Sequence, residues 1–515
     1  MNGTPGEISV LWMSFGQEGG EDFMNKPPNG IVSMPSSSPV IRNTSVALTL
    51  LPLALLVVYV FMTPPLADDI WWRLHSGRHM LTTGEVPSVN GFAYRDTQQA
   101  WVNHAAGYDA ILAVVHRVAG LPAVVWLHLF AFFGLGFTLL RNLSVRDLGW
   151  ALWVPPLLAI HYALRPYVFS DLLLFFTVRH AWRLRFLPDL KRGDCWVPGF
   201  LFFLWGQLHG AVWIGVVSFI LFATDWSRLF QKPAAEIRRI GPVGLLVFLV
   251  SLANVNHVHG LVLAVRYATG GFPWLGELTE WQAPGYAHLL VLGAFAGGWV
   301  HAWHARNRQF FAIWPMVPFG VLAFLQVRHL PLFVVVAVAL WSEQGPQVAT
   351  VRKDHRFPSG LWSRIHSHEW IFALGFALVA SVILAPRTPE PRFYPLGLYR
   401  RMEICDTAGP LRVFTLHAWG GAQLFHFQGR LAPFLDARND CFSRETFTRY
   451  LHITRLKEGW YDLLMEDDPD GAALPVAHPL AVALRQKGWI PGARSGRHRF
   501  LVAPRVGRAL CRRFP

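Results

Sequence analysis

Long apolar runs alternate with short polar connections over most of this chain. Stretches long or apolar enough to be read as crossings of about 30 Å of hydrocarbon fall at 45–62, 121–140, 148–164, 167–181, 196–208, 211–224, 241–253, 286–300, 311–326, 330–341 and 370–385. The fifth and sixth read equally well as one broken helix. This pattern predicts an α-helical polytopic membrane protein with about 11 transmembrane helices, a helical region over 44–386, and a large first outer loop at 63–119.

Two segments break the pattern. Residues 1–43 are rich in Gly, Pro and Ser, show no sustained period, and read as a disordered tail. They lack the compact apolar core and small-residue cleavage site of a secretory signal, so the first span reads as an uncleaved helix. From 387 to 515, short apolar runs are separated by charged turns. Strands are predicted at 412–416, 431–435 and 498–503, with helices at 444–456 and 478–487. This alternation predicts a small C-terminal α/β extramembrane domain.

Composition agrees with a membrane setting. The chain is 53% hydrophobic and only 15% charged, with 23 Trp, 38 Phe and a mean hydropathy of +0.31; that is too little polar residue to coat a soluble globule of this length. The net charge of +14 does not point to nucleic acid, because the Lys and Arg fall in short connections and no nucleic-acid motif accompanies them. With a cytoplasmic N-terminus, the inner connections carry 17 Lys and Arg in 74 residues and the outer ones 7 in 102. That bias sets the N-terminus inside. An odd number of crossings then places the C-terminal domain outside, in the periplasm of a bacterial cell.

The polar residues that interrupt apolar sequence sort to one side under this topology. Asp68 and Asp69 follow the first span, in Leu66-Ala-Asp-Asp-Ile-Trp-Trp-Arg-Leu-His75. His104, Arg165, His209, Asn254, Glu280, Arg328 and His329 lie at outward ends of spans or in outer loops. Charge near hydrocarbon is costly unless hydrated or paired, so the convergence points to an outward-facing cavity for a polar, partly anionic substrate delivered from the lipid. Each residue alone has a simpler explanation, such as snorkelling for Arg165 or hydrogen-bonded packing for His209.

These residues carry a resemblance. Ala67-Asp-Asp-Ile-Trp-Trp-Arg-Leu-His-Ser-Gly-Arg-His-Met-Leu-Thr-Thr-Gly-Glu-Val-Pro87 and Trp101-Val-Asn-His104 resemble the first outer loop of bacterial polytopic proteins related to the GT-C glycosyltransferases. So do Arg165-Pro166, Leu204-Trp-Gly-Gln-Leu-His-Gly210, Glu280-Trp-Gln-Ala-Pro284, Arg328-His-Leu-Pro331, Trp419-Gly-Gly421 and Phe434-Leu-Asp-Ala-Arg438. The similarity spans nearly the whole chain after the tail. The chain departs from the pattern at Ala105-Ala-Gly-Tyr-Asp109, where an acidic residue and Trp-Leu are expected, and at Asn254-Val-Asn-His257, where Asn-Pro is expected.

The resemblance implies a GT-C-like fold in a bacterial inner membrane and a sugar transfer from a polyprenyl-phosphate donor. The acceptor would be a glycan, lipid or protein of the cell envelope, reached on the periplasmic side. Asp68 or Asp69 would act as general base, taking the proton of an acceptor hydroxyl, or would organise a metal. That leaves room for a divalent cation, Mg or Mn, on Asp68 and Asp69, and equally for no cofactor. Arg165, Arg328 and His329 would neutralise the departing lipid phosphate, and His75, His104, His209 and Glu280 would help to bind substrate.

Other chemistries find little in the sequence. There is no phosphate loop, no Gly-x-Ser-x-Gly elbow and no His-Glu-x-x-His helix. His366-Ser-His368-Glu369 sits at an inner helix start and reads as interface packing. In the periplasm one disulfide is permitted among Cys405, Cys441 and Cys511, with Cys405 to Cys441 preferred, while Cys195 lies on the inner side. For the Asp436-Ala-Arg438 pair and a Gly420-Gly421 turn, loop bracing is preferred over acceptor binding. The alternatives to an enzyme are a protein that binds or translocates lipid-linked saccharide without bond cleavage, and an envelope scaffold with a degenerate site.

Overall fold

The computed structural model describes residues 68–140, 147–305, 310–343, 394–401 and 410–506. The tail at 1–43, the expected spans at 45–62 and 370–385, the His366 to Glu369 motif and Cys405 lie outside the described residues. All described residues belong to one compact unit. It combines a helical region with a small C-terminal mixed sheet.

Helices of eight or more residues are numbered. The large first loop expected at 63–119 holds α1 (Asp69–Thr83) and the start of α2 (Ala106–Leu140). α1 begins with Asp69 in its first turn, where a carboxylate meets the positive end of the helix dipole. α2 is broken at Gly120, whose φ of 75° and ψ of −175° suit a residue without Cβ. Pro122 then opens the second half, where its missing N–H costs nothing. α1 lies along α2 so closely that a Cβ on Gly77 would stand 2.1 Å from the Asp109 carbonyl oxygen.

Eight further helices follow: α3 (Tyr167–Arg185), α4 (Arg192–Leu208), α5 (Val212–Ala223), α6 (Pro233–Ser251), α7 (Val258–Ala268), α8 (Tyr286–Ala305), α9 (Val317–Leu325) and α10 (Leu330–Ser342). From Leu330 to Trp341 every residue of α10 but the half-buried Phe333 is buried, which marks it as the centre of the helical region. Its Trp341 packs edge-on against Trp150 at 5.3 Å.

The expectation of about 11 spans is corrected. Among the described residues one helix, Ala106–Leu139, is long and apolar enough to cross a membrane, and Val212–Ala223, Val258–Ala268, Ile313–Leu325 and Val327–Ser342 are shorter apolar helices. The reason lies in the connections. His209 adopts an extended backbone that leaves α4 and α5 as two shorter helices, and the charges of Arg179, Arg183 and Arg185 shorten the apolar part of α3.

The C-terminal part holds β1 (Leu411–Thr415), α11 (His417–Phe427), β2 (Leu431–Pro433), α12 (Arg444–Thr454), β3 (Gly471–Pro475), α13 (Pro479–Gln486), β4 (Ile490–Ser495) and β5 (His498–Val502). The sheet order is β2-β1-β3-β5-β4. The first three strands are parallel, and β5 runs antiparallel to both β3 and β4. Gly420 and Gly421 lie inside α11 rather than in the turn expected from the sequence. A Cβ on Gly420 would stand 2.3 Å from the Leu435 carbonyl oxygen, and one on Gly421 would stand 3.0 Å from the Trp72 backbone nitrogen. The small residues therefore let α11 press on the start of α1, where Asp68 and Asp69 sit.

Candidate functional site

The N-terminus of α1, the turn before α3, and the turns between α7 and α8 and between α9 and α10 meet at one place. Arg165 is the hub. Its Nε lies 2.7 Å from Asp69 Oδ2, and its Nη1 donates to Glu280 Oε2. Asp69 Oδ1 accepts only a long bond, 3.3 Å, from the Trp72 indole. Arg328 stands beside this group, with its guanidinium carbon 3.9 Å from the Trp281 ring centre and Nη2 donating to the Tyr167 hydroxyl at 2.9 Å. The side chains of Asp69, Arg165 and Glu280 keep 13%, 20% and 29% of their surface exposed, so the ion-pair cluster reaches solvent.

Beneath it lies a buried polar layer. His161 Nδ1 pairs with Asp171 Oδ2 at 2.8 Å, its Nε2 reaches the Arg328 carbonyl at 2.9 Å, and its ring stacks on Tyr167. Ser170 Oγ bonds His209 Nδ1 at 2.8 Å and accepts from the Trp205 indole at 3.0 Å. The His209 ring is 5.7 Å from that of His104, whose Nδ1 faces Asp440 Oδ2 at 3.8 Å. The structure thus brings Asp69, His104, Arg165, His209, Glu280 and Arg328 into one chain of neighbours. His329 follows Arg328 in the same short turn.

The remaining expected residues stand apart. Asp68 precedes α1 and accepts the Tyr394 hydroxyl at 2.7 Å. His75 packs on Phe92 at 4.6 Å. Asp436 and Arg438 are fully buried and bonded to each other, with Arg438 Nη2 also donating to Asn90 Oδ1 at 2.8 Å. They tie the first loop to the C-terminal domain. Of the expected Cys405 to Cys441 pair, Cys405 lies outside the described residues, and the buried Cys441 thiol donates to the Arg438 carbonyl.

His161, Tyr167, Asp171, Tyr394 and Asp440 were missed in the sequence. Asp171 and His161 had a readable signal, being polar groups inside apolar runs. Tyr394 and Asp440 come from distant segments and had none.

Burial pushes the Asp68 carboxyl above the usual carboxylate range, against the lowering effect of the Tyr394 hydroxyl. Burial alone would lower the Arg165 guanidinium and raise Glu280; the charges of Asp69 and Glu280 on the first, and of Arg165 and Arg328 on the second, reverse both. Arg165 stays cationic and Glu280 anionic. The pair Asp68 and Asp69 does not fit a divalent cation, since Asp69 already faces a guanidinium and Asp68 a phenol. Among the described residues no group of three His, Cys, Asp or Glu is placed to hold one.

Burial, with Arg78 and Arg438 nearby, pushes the His75 imidazole down to about 3. The unfolded chain therefore binds more protons than the folded one between about pH 3 and the ordinary histidine value near 6.5, so stability falls as pH falls through that window. The limit is about 1.4 kcal/mol per pH unit for this one group. Thermal unfolding at pH 7.5, 6.5, 5.5 and 4.5 should show a steeper loss for the parent than for His75→Gln.

No family model and no curated protein matches the chain. Partial likenesses exist among solved structures. The Archaeoglobus fulgidus oligosaccharyltransferase tethered to an acceptor peptide superposes with a TM-score of 0.46 at 11% identity, covering 89% of this chain and 74% of that one. The oligosaccharyltransferase AglB from the same organism, in complex with an inhibitory peptide and a dolichol-phosphate, gives 0.44 at 10% identity, over 84% and 69%. A complex of that enzyme with Zn and sulfate gives 0.38 at 12% identity, over 84% and 69%. Likeness at this level carries no assignment of activity.

Proposed function

We propose that this chain is a membrane glycosyltransferase that moves a sugar from a polyprenyl-phosphate donor to a cell-envelope acceptor at the periplasmic face. What supports the reading is one juxtaposition: a carboxylate, Asp69, beside two guanidinium groups, Arg165 and Arg328, in a solvent-reaching cluster. The acceptor hydroxyl oxygen attacks the anomeric carbon and passes its proton to Asp69. The anomeric C–O bond breaks, and its electron pair leaves on the phosphate oxygen. Arg328 and Arg165 neutralise that oxygen through charge-assisted bonds, for which the planar guanidinium is well shaped. In the resting arrangement Arg165 holds Asp69; an arriving lipid phosphate competes for Arg165 and frees the base. His161, fixed by Asp171, holds the Arg328 backbone in place.

The test is reconstitution of the full chain in liposomes with a labelled polyprenyl-phosphate sugar. Release of polyprenyl phosphate is expected, with at least a tenfold loss for Arg328→Gln, because a charged donor on the leaving group is worth more than a neutral bond. Unchanged release by Arg328→Gln would remove the leaving-group assignment.

A second reading draws on the same cluster. A carboxylate held 2.7 Å from a guanidinium is already paired, which favours a protein that binds lipid-linked saccharide without cleaving it. Saturable donor binding with no released polyprenyl phosphate would select that reading.

A further inference from the structure

A groove of about 370 Å³ opens between α1 and α2, well away from the ion-pair cluster. Its floor is apolar, formed by Leu74, Leu81, Ala113 and Phe425, and its rim carries Arg78 and Arg117. Neither Asp nor Glu is among the lining residues, so the rim charge is uncompensated within the groove. Arg78 is anchored, with Nη2 donating to the Phe425 carbonyl at 2.8 Å and its guanidinium carbon 4.8 Å over the Phe425 ring. Among the described residues its other nitrogens meet no hydrogen-bond acceptor, which leaves them to face an anion at the rim. Arg117 is exposed on α2.

The surroundings point to lipid. On α2, next to Arg117, Ile111, Val114 and Val118 are 45%, 46% and 80% exposed and follow one face at spacings of three and four. They lie in the first half of α2, which leads through the break at Gly120 directly into its apolar second half. The groove therefore continues a hydrocarbon-facing stripe and ends at two cations. That is the arrangement in which long basic side chains reach from apolar surface to a headgroup.

We propose that this groove binds an anionic membrane phospholipid, one acyl chain lying on Leu74, Leu81, Ala113 and Phe425 and the phosphate held by Arg78 and Arg117. The occupant is structural lipid rather than sugar donor: Arg78 lies roughly 13 Å further along α1 than Asp69 at the helical rise. The proposal stands apart from the transfer reaction.

The test does not use transferase activity. The full chain, in nanodiscs, is exposed to phosphatidylglycerol with a photoactivatable acyl chain, and cross-linked peptides are mapped by mass spectrometry. Cross-links are expected in 74–82, 111–118 and 425, with unlabelled phosphatidylglycerol competing about tenfold better than phosphatidylcholine. Arg117→Gln should narrow that preference, and Leu81→Glu should remove the cross-links while leaving the unfolding temperature unchanged; both residues are exposed. Equal competition by phosphatidylcholine, competition by inorganic phosphate alone, or cross-links unaffected by both variants would overturn the proposal.

Discussion

Asp69→Asn is expected to lower the rate of sugar transfer by roughly 10² to 10⁴, the span a positioned general base contributes, whereas Asp68→Asn should keep activity within about threefold of the parent. The two carboxylates are adjacent in sequence and opposite in setting. Asp69 faces Arg165 at 2.7 Å in the solvent-reaching cluster and has one oxygen with only a 3.3 Å indole contact, so it can accept a proton from a bound hydroxyl. Asp68 is turned to Tyr394, and burial raises its carboxyl above the usual range. Asparagine at position 69 keeps the shape and leaves Arg165 paired with Glu280, so folding should survive. Asp69→Glu should recover part of the rate, since the base returns at the cost of reach. Single-turnover release of polyprenyl phosphate is the measurement. Equal losses for both asparagine variants would mean that helix capping, not proton transfer, explains the acidic pair.

The sequence made the helical character, the α/β tail and the gathering of outer polar residues legible for definite reasons. A 3.6-residue apolar period or an alternating one needs only local reading, and strands β1, β2 and β5 fall where the alternation placed them. Asp69, Arg165, Glu280 and Arg328 each interrupt or flank apolar sequence, and the structure places them together. What escaped depends on tertiary approach. The Gly420-Gly421 pair reads as a turn by itself, and only the nearness of Leu435 and Trp72 explains it as helix packing. β3 and β4 are short and Gly/Pro-containing, so their pairing with β5 had no local signature. The span count was read from apolar runs alone, and runs such as 211–224 and 330–341 fold into helices of only 12 and 13 residues.

Arg438→Met is expected to destabilise the junction between the first loop and the C-terminal domain by about 3–5 kcal/mol, the cost of leaving a buried charge without its partner. Arg438 and Asp436 are each 0% exposed in their side chains and share a two-pronged contact, Nε to Oδ1 at 2.9 Å and Nη2 to Oδ2 at 2.7 Å. The guanidinium carbon also lies 4.8 Å from the ring centres of Phe92 and Trp101, both of the first loop. Methionine fills much of this space, so the loss is chiefly electrostatic and strands Asp436. The double variant Asp436→Asn with Arg438→Met removes the uncompensated charge and should recover a good part of the stability, as apolar replacements of buried pairs often do. Cys441 supplies the readout, because its buried thiol donates to the Arg438 carbonyl and becomes reactive only when this junction opens. Maleimide labelling of the Cys441 peptide, followed by mass spectrometry, should run on the order of 10² to 10⁴ faster in Arg438→Met if opening is local. A single variant that labels no faster than the parent would show that Asp436 finds water or another donor, and that the buried pair does not hold the first loop against the tail.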